Sequence, residues 1–162
     1  MPVDTIIEEE RWQQLDLCGL SARAFEAVMS EMDLSPEAFD VTVLGCDDDR
    51  ISILNRDFRG KHQPTNVLSW PGSERAAEEP GAAPRRPDPA IDAELGDIAI
   101  AFQTSTKEAC AQKKKARDHV MHLLVHGMLH LLGYDHIRDE DAALMEKIEI
   151  KILGKMGISD PY

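Results

Sequence analysis

Apolar positions along the chain fall into short blocks whose spacing predicts an alternation of strands and helices. VDTII at 3–7 reads as a short strand. SARAFEAVMSEMD at 21–33 reads as a helix capped by Ser21, because Ala24, Val28 and Met32 recur four apart; Ser35-Pro36 breaks it. FDVTVLGC alternates as a strand with Phe39, Val41 and Val43 on one side. Asp47, Asp48 and Asp49 open the next helix, where carboxylates suit the positive dipole end. Its apolar face is predicted to carry Ile51, Leu54 and Phe58, and Gly60 ends it. TNVLSW at 65–70 and LGDIAIA at 95–101 are two further strands.

From Thr104 onward the periodicity is helical. KEACAQKKKARDHVMHLLVHGMLHLL reads as one long helix or as two with a break near Arg117-Asp118, and Gly133 stops it. EDAALMEKIEIKIL at 140–153 is a final amphipathic helix. Between the third and fourth strands, 71–94 is rich in Pro, Ala, Gly and Glu with almost nothing to bury, which predicts a flexible excursion. The order predicts an α+β fold in a single domain spanning 1–162: a small mixed four-stranded sheet packed with about five helices.

Composition narrows the class. The chain has 162 residues, 43% hydrophobic and 30% charged, enough for one core. Its net charge of -12 argues against a general nucleic-acid binder, so a polyanion site has to be a local basic patch. Three cysteines without a C-x-x-C favour a reducing compartment over a disulfide framework. No secretory leader or membrane-length apolar run is recognisable, so the expectation is a cytoplasmic protein with no membrane partner.

The chemistry concentrates in HGMLHLLGYDH, residues 126–136. Residues four apart on a helix lie one above the other, so His126 and His130 can point at one ion. A third ligand cannot come from the same straight helix; Gly133 turns the chain and returns His136 to the same point. Three neutral imidazoles with a fourth position left for water form a catalytic zinc arrangement. The spacing is that of a metzincin protease, but Gly127 stands where the protease has its general-base Glu. Peptide hydrolysis by the usual route is therefore disfavoured, and Gly127 is equally well explained by close packing of a neighbour. His119 and His122 read as hydrogen-bonded helix histidines and His62 as a solvated loop residue. Asp135 either orients an imidazole or caps the turn, and Tyr134 reads as packing.

HGMLHLLGYDH resembles the histidine motif of the bacterial YbeY family of endoribonucleases. LNRDFRGKHQPTNVLSWP at 54–71 and LGDIAIA at 95–101 resemble two further blocks of that family, in the same order. The resemblance implies a zinc ion held by His126, His130 and His136, with Arg59 matching the family's functionally important arginine. It implies single-strand-specific endoribonuclease activity in ribosomal RNA processing, notably at the 3′ end of the small-subunit RNA, and in ribosome quality control. The implied partners are RNA, the small ribosomal subunit and its assembly factors, with no DNA expected. Asn66 departs from the family's usual Asp, and Trp70 from its Phe. A guanidinium suits charge stabilisation at phosphorus because its planar fork pairs two phosphate oxygens. Arg56 and Lys61 near Arg59, and Lys113, Lys114, Lys115 and Arg117 before the histidine helix, supply local positive charge; Lys61, Lys113, Lys114 and Arg117 are the candidate substrate contacts. The alternatives are a metzincin-like metallopeptidase or other zinc hydrolase, and a non-catalytic ribosome assembly factor.

Overall fold

The computed structural model describes residues Val3 to Tyr162. Val3–Ile7, four of its five residues β-branched, form β1, and Asp40–Cys46 form β2 parallel to it, joined through helix α1, Leu17–Glu31. Helix α2, Asp48–Arg59, follows, then β3, Val67–Pro71, and β4, Glu94–Ala101. Three helices complete the chain: α3, Phe102–Ala111; α4, Ala116–Leu131; and α5, Asp139–Lys155. Two short 3-10 turns, Glu10–Leu15 and Pro36–Ala38, flank α1. The sheet order is β1-β2-β4-β3, with β3 the one antiparallel member at the edge. The expected α+β class and mixed four-stranded sheet are therefore present.

Each face of the sheet buries a different cluster. Val41, Val43, Ile98 and Ile100 join Phe25 and Val28 of α1, Val120, Leu124 and Met128 of α4, and Ile152 of α5 in the main core. Ile51 of α2 packs on the other face with Cys46, Leu68, Ala99 and Ala101. Side chains alternate across a strand, so neighbouring residues of β4 serve both cores. Trp12, fully buried, ties the first turn to the sheet by donating from Nε1 to the Cys46 carbonyl at 3.0 Å.

Three expectations are corrected. Helix α1 begins one turn earlier than Ser21: the Asp16 carboxylate accepts from the Gly19 amide at 3.2 Å, and Ser21 is buried inside the helix. The two helices of the 104–131 region break at Gln112–Lys115, before Arg117, with Lys113 in the left-handed region at φ 57°. On α2 the inward face is Ile51, Ser52 and Asn55, while Phe58 is exposed. Asn55 turns inward because its amide donates to the Gln63 carbonyl at 3.0 Å and so fixes the loop beyond Gly60.

The connection between β3 and β4 has no helix or strand and is mostly exposed, but two of its charged side chains are buried. Arg75 and Asp92 are each 2% exposed. Arginines tie this segment down where apolar side chains are lacking. Arg75 donates to the Leu131 carbonyl at the end of α4, at 2.6 Å, and its guanidinium lies 3.5 Å from Asp92. Arg86 donates to the carbonyls of Met32 and Asp33 at the end of α1, both at 2.9 Å. Arg138 donates to the carbonyls of Ala77 and Glu78, both at 2.8 Å. The terminal carbonyls of a helix lack intrahelical partners and carry the negative end of its dipole, so a guanidinium there is favoured twice. Asp92 accepts from the Asp88 amide and from Arg85, and these bonds hold its carboxyl down to about 2.

Arg75→Ala should lower the melting temperature by several degrees, because it removes a buried guanidinium beside Asp92 and leaves the Leu131 carbonyl without its partner. Arg85→Ala, removing a side chain 52% exposed, should shift it far less. Thermal melts of the two variants side by side check this; equal effects would contradict the arginine-tie account.

Candidate metal centre

Helix α4 is the structural spine of the large core, and ten of its residues from His119 to Leu131 are buried. Only one edge stays partly open, and that edge carries His122, His126 and His130, each four residues from the next. The helix stops at Leu131; Gly133 follows at φ +102°, and its N–H and that of Tyr134 close the turn onto the carbonyls of His130 and Leu129. A Cβ at Gly133 would meet Pro84 at 2.8 Å and the Arg75 backbone at 2.9 Å, so both space and conformation demand glycine. This bend returns His136 to the two helix histidines. The ring centroids of His136 lie 5.3 Å from His126 and 5.0 Å from His130, and one ligand nitrogen from each of the three falls within 4.8 Å of the others.

Hydrogen bonds fix which nitrogens face the common point. His130 Nδ1 lies 2.9 Å from the Tyr134 carbonyl, which can only accept, so Nδ1 carries the hydrogen and Nε2 the lone pair. His126 Nδ1 lies 2.5 Å from Glu149 Oε1. Burial alone would raise the Glu149 carboxyl; hydrogen bonds from His122 and His126, joined by the Tyr162 hydroxyl, outweigh it and hold it down to about 2. An ionised carboxylate also only accepts, so His126 Nδ1 carries a hydrogen, and in the neutral ring its Nε2 holds the lone pair. The two Nε2 atoms stand 3.0 Å apart with lone pairs converging. Such an arrangement repels itself unless a cation sits between the nitrogens. Burial, then the neighbouring His126 and His136, push His130 down to about 4, so it is neutral near pH 7 and ready to donate its lone pair.

The donor set therefore fits a borderline-soft divalent ion such as zinc. Glu149 and the Tyr134 carbonyl hold the far side of each ring, the usual support for metal-binding imidazoles. Asp135 has no hydrogen bond to an imidazole among the described residues. Its carboxylate accepts the backbone N–H of His136 at 2.7 Å and so sets the turn. Glu149 was missed in the sequence, although a signal existed: it occupies an apolar-face position of α5, between the buried Met145, Ile152 and Leu153. His122 and Tyr162 complete its surroundings, their rings 5.5 Å apart. His119 hydrogen-bonds Glu108 at 2.9 Å, away from the triad. Asn66 donates to the same Glu108 carboxylate at 3.1 Å, a bond an Asp could not make while ionised.

The three histidines line a cleft of about 610 Å³ that also holds Arg59, the exposed last residue of α2, with Asn66 and Ser69 from the β3 side. Lys61, Lys113, Lys114 and Arg117 do not line it; Lys114 instead donates to the Pro161 carbonyl at 3.2 Å. Gly127 faces the sheet, away from the cleft. A Cβ there would lie 3.2 Å from both Ile98 Cδ1 and Ser69 Oγ, and Ser69 donates to the Gly127 carbonyl at 3.3 Å. The position that carries a base in a protease is here the contact between α4 and β3–β4.

Fold and site together define a small α+β protein with a three-histidine cluster, able to hold a cation, in an open cleft. Residues 5–157 match the family model described as Endoribonuclease YbeY. The chain is 54% identical to the Endoribonuclease YbeY of Ruegeria pomeroyi, over 100% of this chain and 98% of that one. It is 56% identical to that of Paracoccus denitrificans, over 99% and 89%. A solution structure of a Thermotoga maritima protein superposes with a TM-score of 0.56 at 23% identity, covering 98% of this chain and 97% of that one, and it supports the fold. The chain belongs to the YbeY family.

Two predictions follow from the geometry. Gly127→Ala should be close to neutral in stability, because a helix-propensity gain of about 1 kcal/mol is offset by the tight contacts with Ile98 and Ser69. Gly127→Glu should melt well below wild type and show no cleavage in a peptide-hydrolysis assay. For the metal-free protein, His130 sets a pH dependence. The unfolded chain takes up this proton near the ordinary 6.5 and the folded chain only near 4, so stability falls as pH drops through that window. Thermal melts across it should show the loss, and His130→Gln should flatten the curve.

Proposed function

We propose that this chain is a single-strand-specific endoribonuclease that works through one zinc ion held by His126, His130 and His136. The observation that carries the reading is the convergence of two bare imidazole nitrogens with a third histidine, in a cleft shared with Arg59. When bound, such an ion supplies Lewis-acid polarisation of a phosphodiester oxygen and lowers the pKa of a coordinated water. Glu149 and the Tyr134 carbonyl keep His126 and His130 in the donating tautomer. Arg59 pairs two phosphate oxygens and stabilises the charge that develops on them during cleavage. Lys61, Lys113, Lys114 and Arg117, outside the cleft, guide the flanking backbone by charge.

The relatives' names support an RNA substrate, and the family resemblance points to ribosomal RNA, with the 3′ end of the small-subunit RNA as its target and the small ribosomal subunit and its assembly factors as partners. That role belongs in the cytoplasm. Among the described residues no helix is long and apolar enough to cross a membrane. A peptidase mechanism lacks its base, since Gly127 points into the sheet.

His126→Ala should lose both the metal and RNA cleavage. Arg59→Ala should keep the metal and the fold while kcat falls about 100-fold or more, the usual effect of removing a group that stabilises transition-state charge. Cleavage of single-stranded RNA with metal quantified in each preparation checks both. An Arg59→Ala enzyme cleaving at the wild-type rate contradicts the role of Arg59, and an unchanged His126→Ala enzyme contradicts the site.

A further inference from the structure

Phe58 is 51% exposed although its place in the α2 pattern predicts an inward position. Its ring is not left floating. The half-buried Trp70 of β3 lies 5.2 Å from it between centroids at an interplanar angle of 55°, and Trp70 itself packs onto the small core beneath α2. Phe58 is thus an open aromatic face on a firm backing. It lines the same cleft as its neighbour Arg59 and the three histidines. Around it the surface is polar and largely basic: Arg56, Arg59, Lys61 and His62 are all exposed, and the one nearby carboxylate in this run, Asp57, pairs with Arg56 at 3.2 Å.

We propose that Phe58 is a base-stacking platform, taking the nucleobase of a nucleotide adjacent to the phosphate that Arg59 engages. The inference rests on the RNA reading above and names a subsite within it. An aromatic ring beside a guanidinium matches the repeating chemistry of a nucleic-acid strand, a flat apolar base next to an anionic phosphate. The cleft also exposes Ile137 and Tyr162, but the residues flanking Phe58 are Arg56, Arg59, Lys61 and His62, which suit an anionic strand better than an apolar protein partner. Stacking on Phe58 requires a base with a free face, which a duplex does not offer, so the platform selects unpaired RNA.

The test is binding of a fluorescently labelled short single-stranded RNA to the metal-loaded protein on ice, with the RNA checked for integrity on a gel afterwards. Phe58→Leu should bind about tenfold more weakly, within the range seen when a base–aromatic stack is removed. Phe58→Trp should bind like wild type, and both should melt at the wild-type temperature. RNAs carrying one abasic nucleotide, scanned along the strand, should reveal a position where wild type loses a similar factor and Phe58→Leu loses nothing further. Wild-type affinity in Phe58→Leu, or abasic losses equal in both proteins at every position, overturns the proposal and leaves the patch to a different occupant. Cleavage on warming is scored separately: RNA that binds through Phe58 but is never cut supports the platform and removes the nuclease reading.

Discussion

The structure depends on how closely α4 approaches the sheet. The helix is buried around most of its circumference, and Gly127 lets it lie within van der Waals contact of Ile98 and Ser69. Interiors are packed to near-crystal density, so an element held this tightly has little freedom to rotate. Its one partly open edge therefore has a fixed direction, and the histidines spaced four apart on that edge inherit it. Had position 127 carried a larger side chain, α4 would stand off the sheet and the imidazoles would move with it. The glycine that stands in place of a protease's base is the residue that seats the histidine-bearing helix.

A second constraint couples the site to the fold. Glu149 is fully buried, and a buried carboxylate is tolerated only with its partners in place. Those partners are His122, His126 and the Tyr162 hydroxyl, so docking α5 into the core and orienting His126 are the same event. The opposite ring, His130, is oriented by a backbone carbonyl delivered by the Gly133 turn. Two independent devices, one a charged side chain from a distant helix and one a local turn, aim two lone pairs at one point. The site is organised by the fold before any ion arrives.

What the sequence disclosed follows from range. The histidine spacing is legible because a helix converts a four-residue interval into adjacency without help from the rest of the chain, and Gly133 announces its own turn. The four strands are legible because their apolar runs sit between strong breakers. Glu149 was overlooked since its relation to His126 spans 23 residues and two helices, though a glutamate in an apolar register was a visible anomaly. The tethering of the 72–93 connection was not legible because composition counts apolar side chains, whereas Arg75 and Arg86 bond carbonyls at the ends of α4 and α1, a long-range pattern with no local signature. Phe58 was assigned inward by periodicity alone; at the last turn of α2 its ring stays half exposed and rests against Trp70 instead of entering the core.

The net charge of -12 sets the terms on which a polyanion could enter the cleft. An acidic body repels a phosphate backbone at long range, and that repulsion is greatest for a stiff duplex, which brings many phosphates near the surface at once. A flexible single strand can present a few nucleotides to a local patch and hold the rest away. Within the cleft, whose lining also includes Glu74 and Asp135, Arg59 offers an exposed positive charge, and the Glu149 charge is buried and engaged by His122, His126 and Tyr162. Overall acidity therefore does not conflict with an RNA substrate. It would confine contact to the few nucleotides that a flexible strand can bring to the local patch.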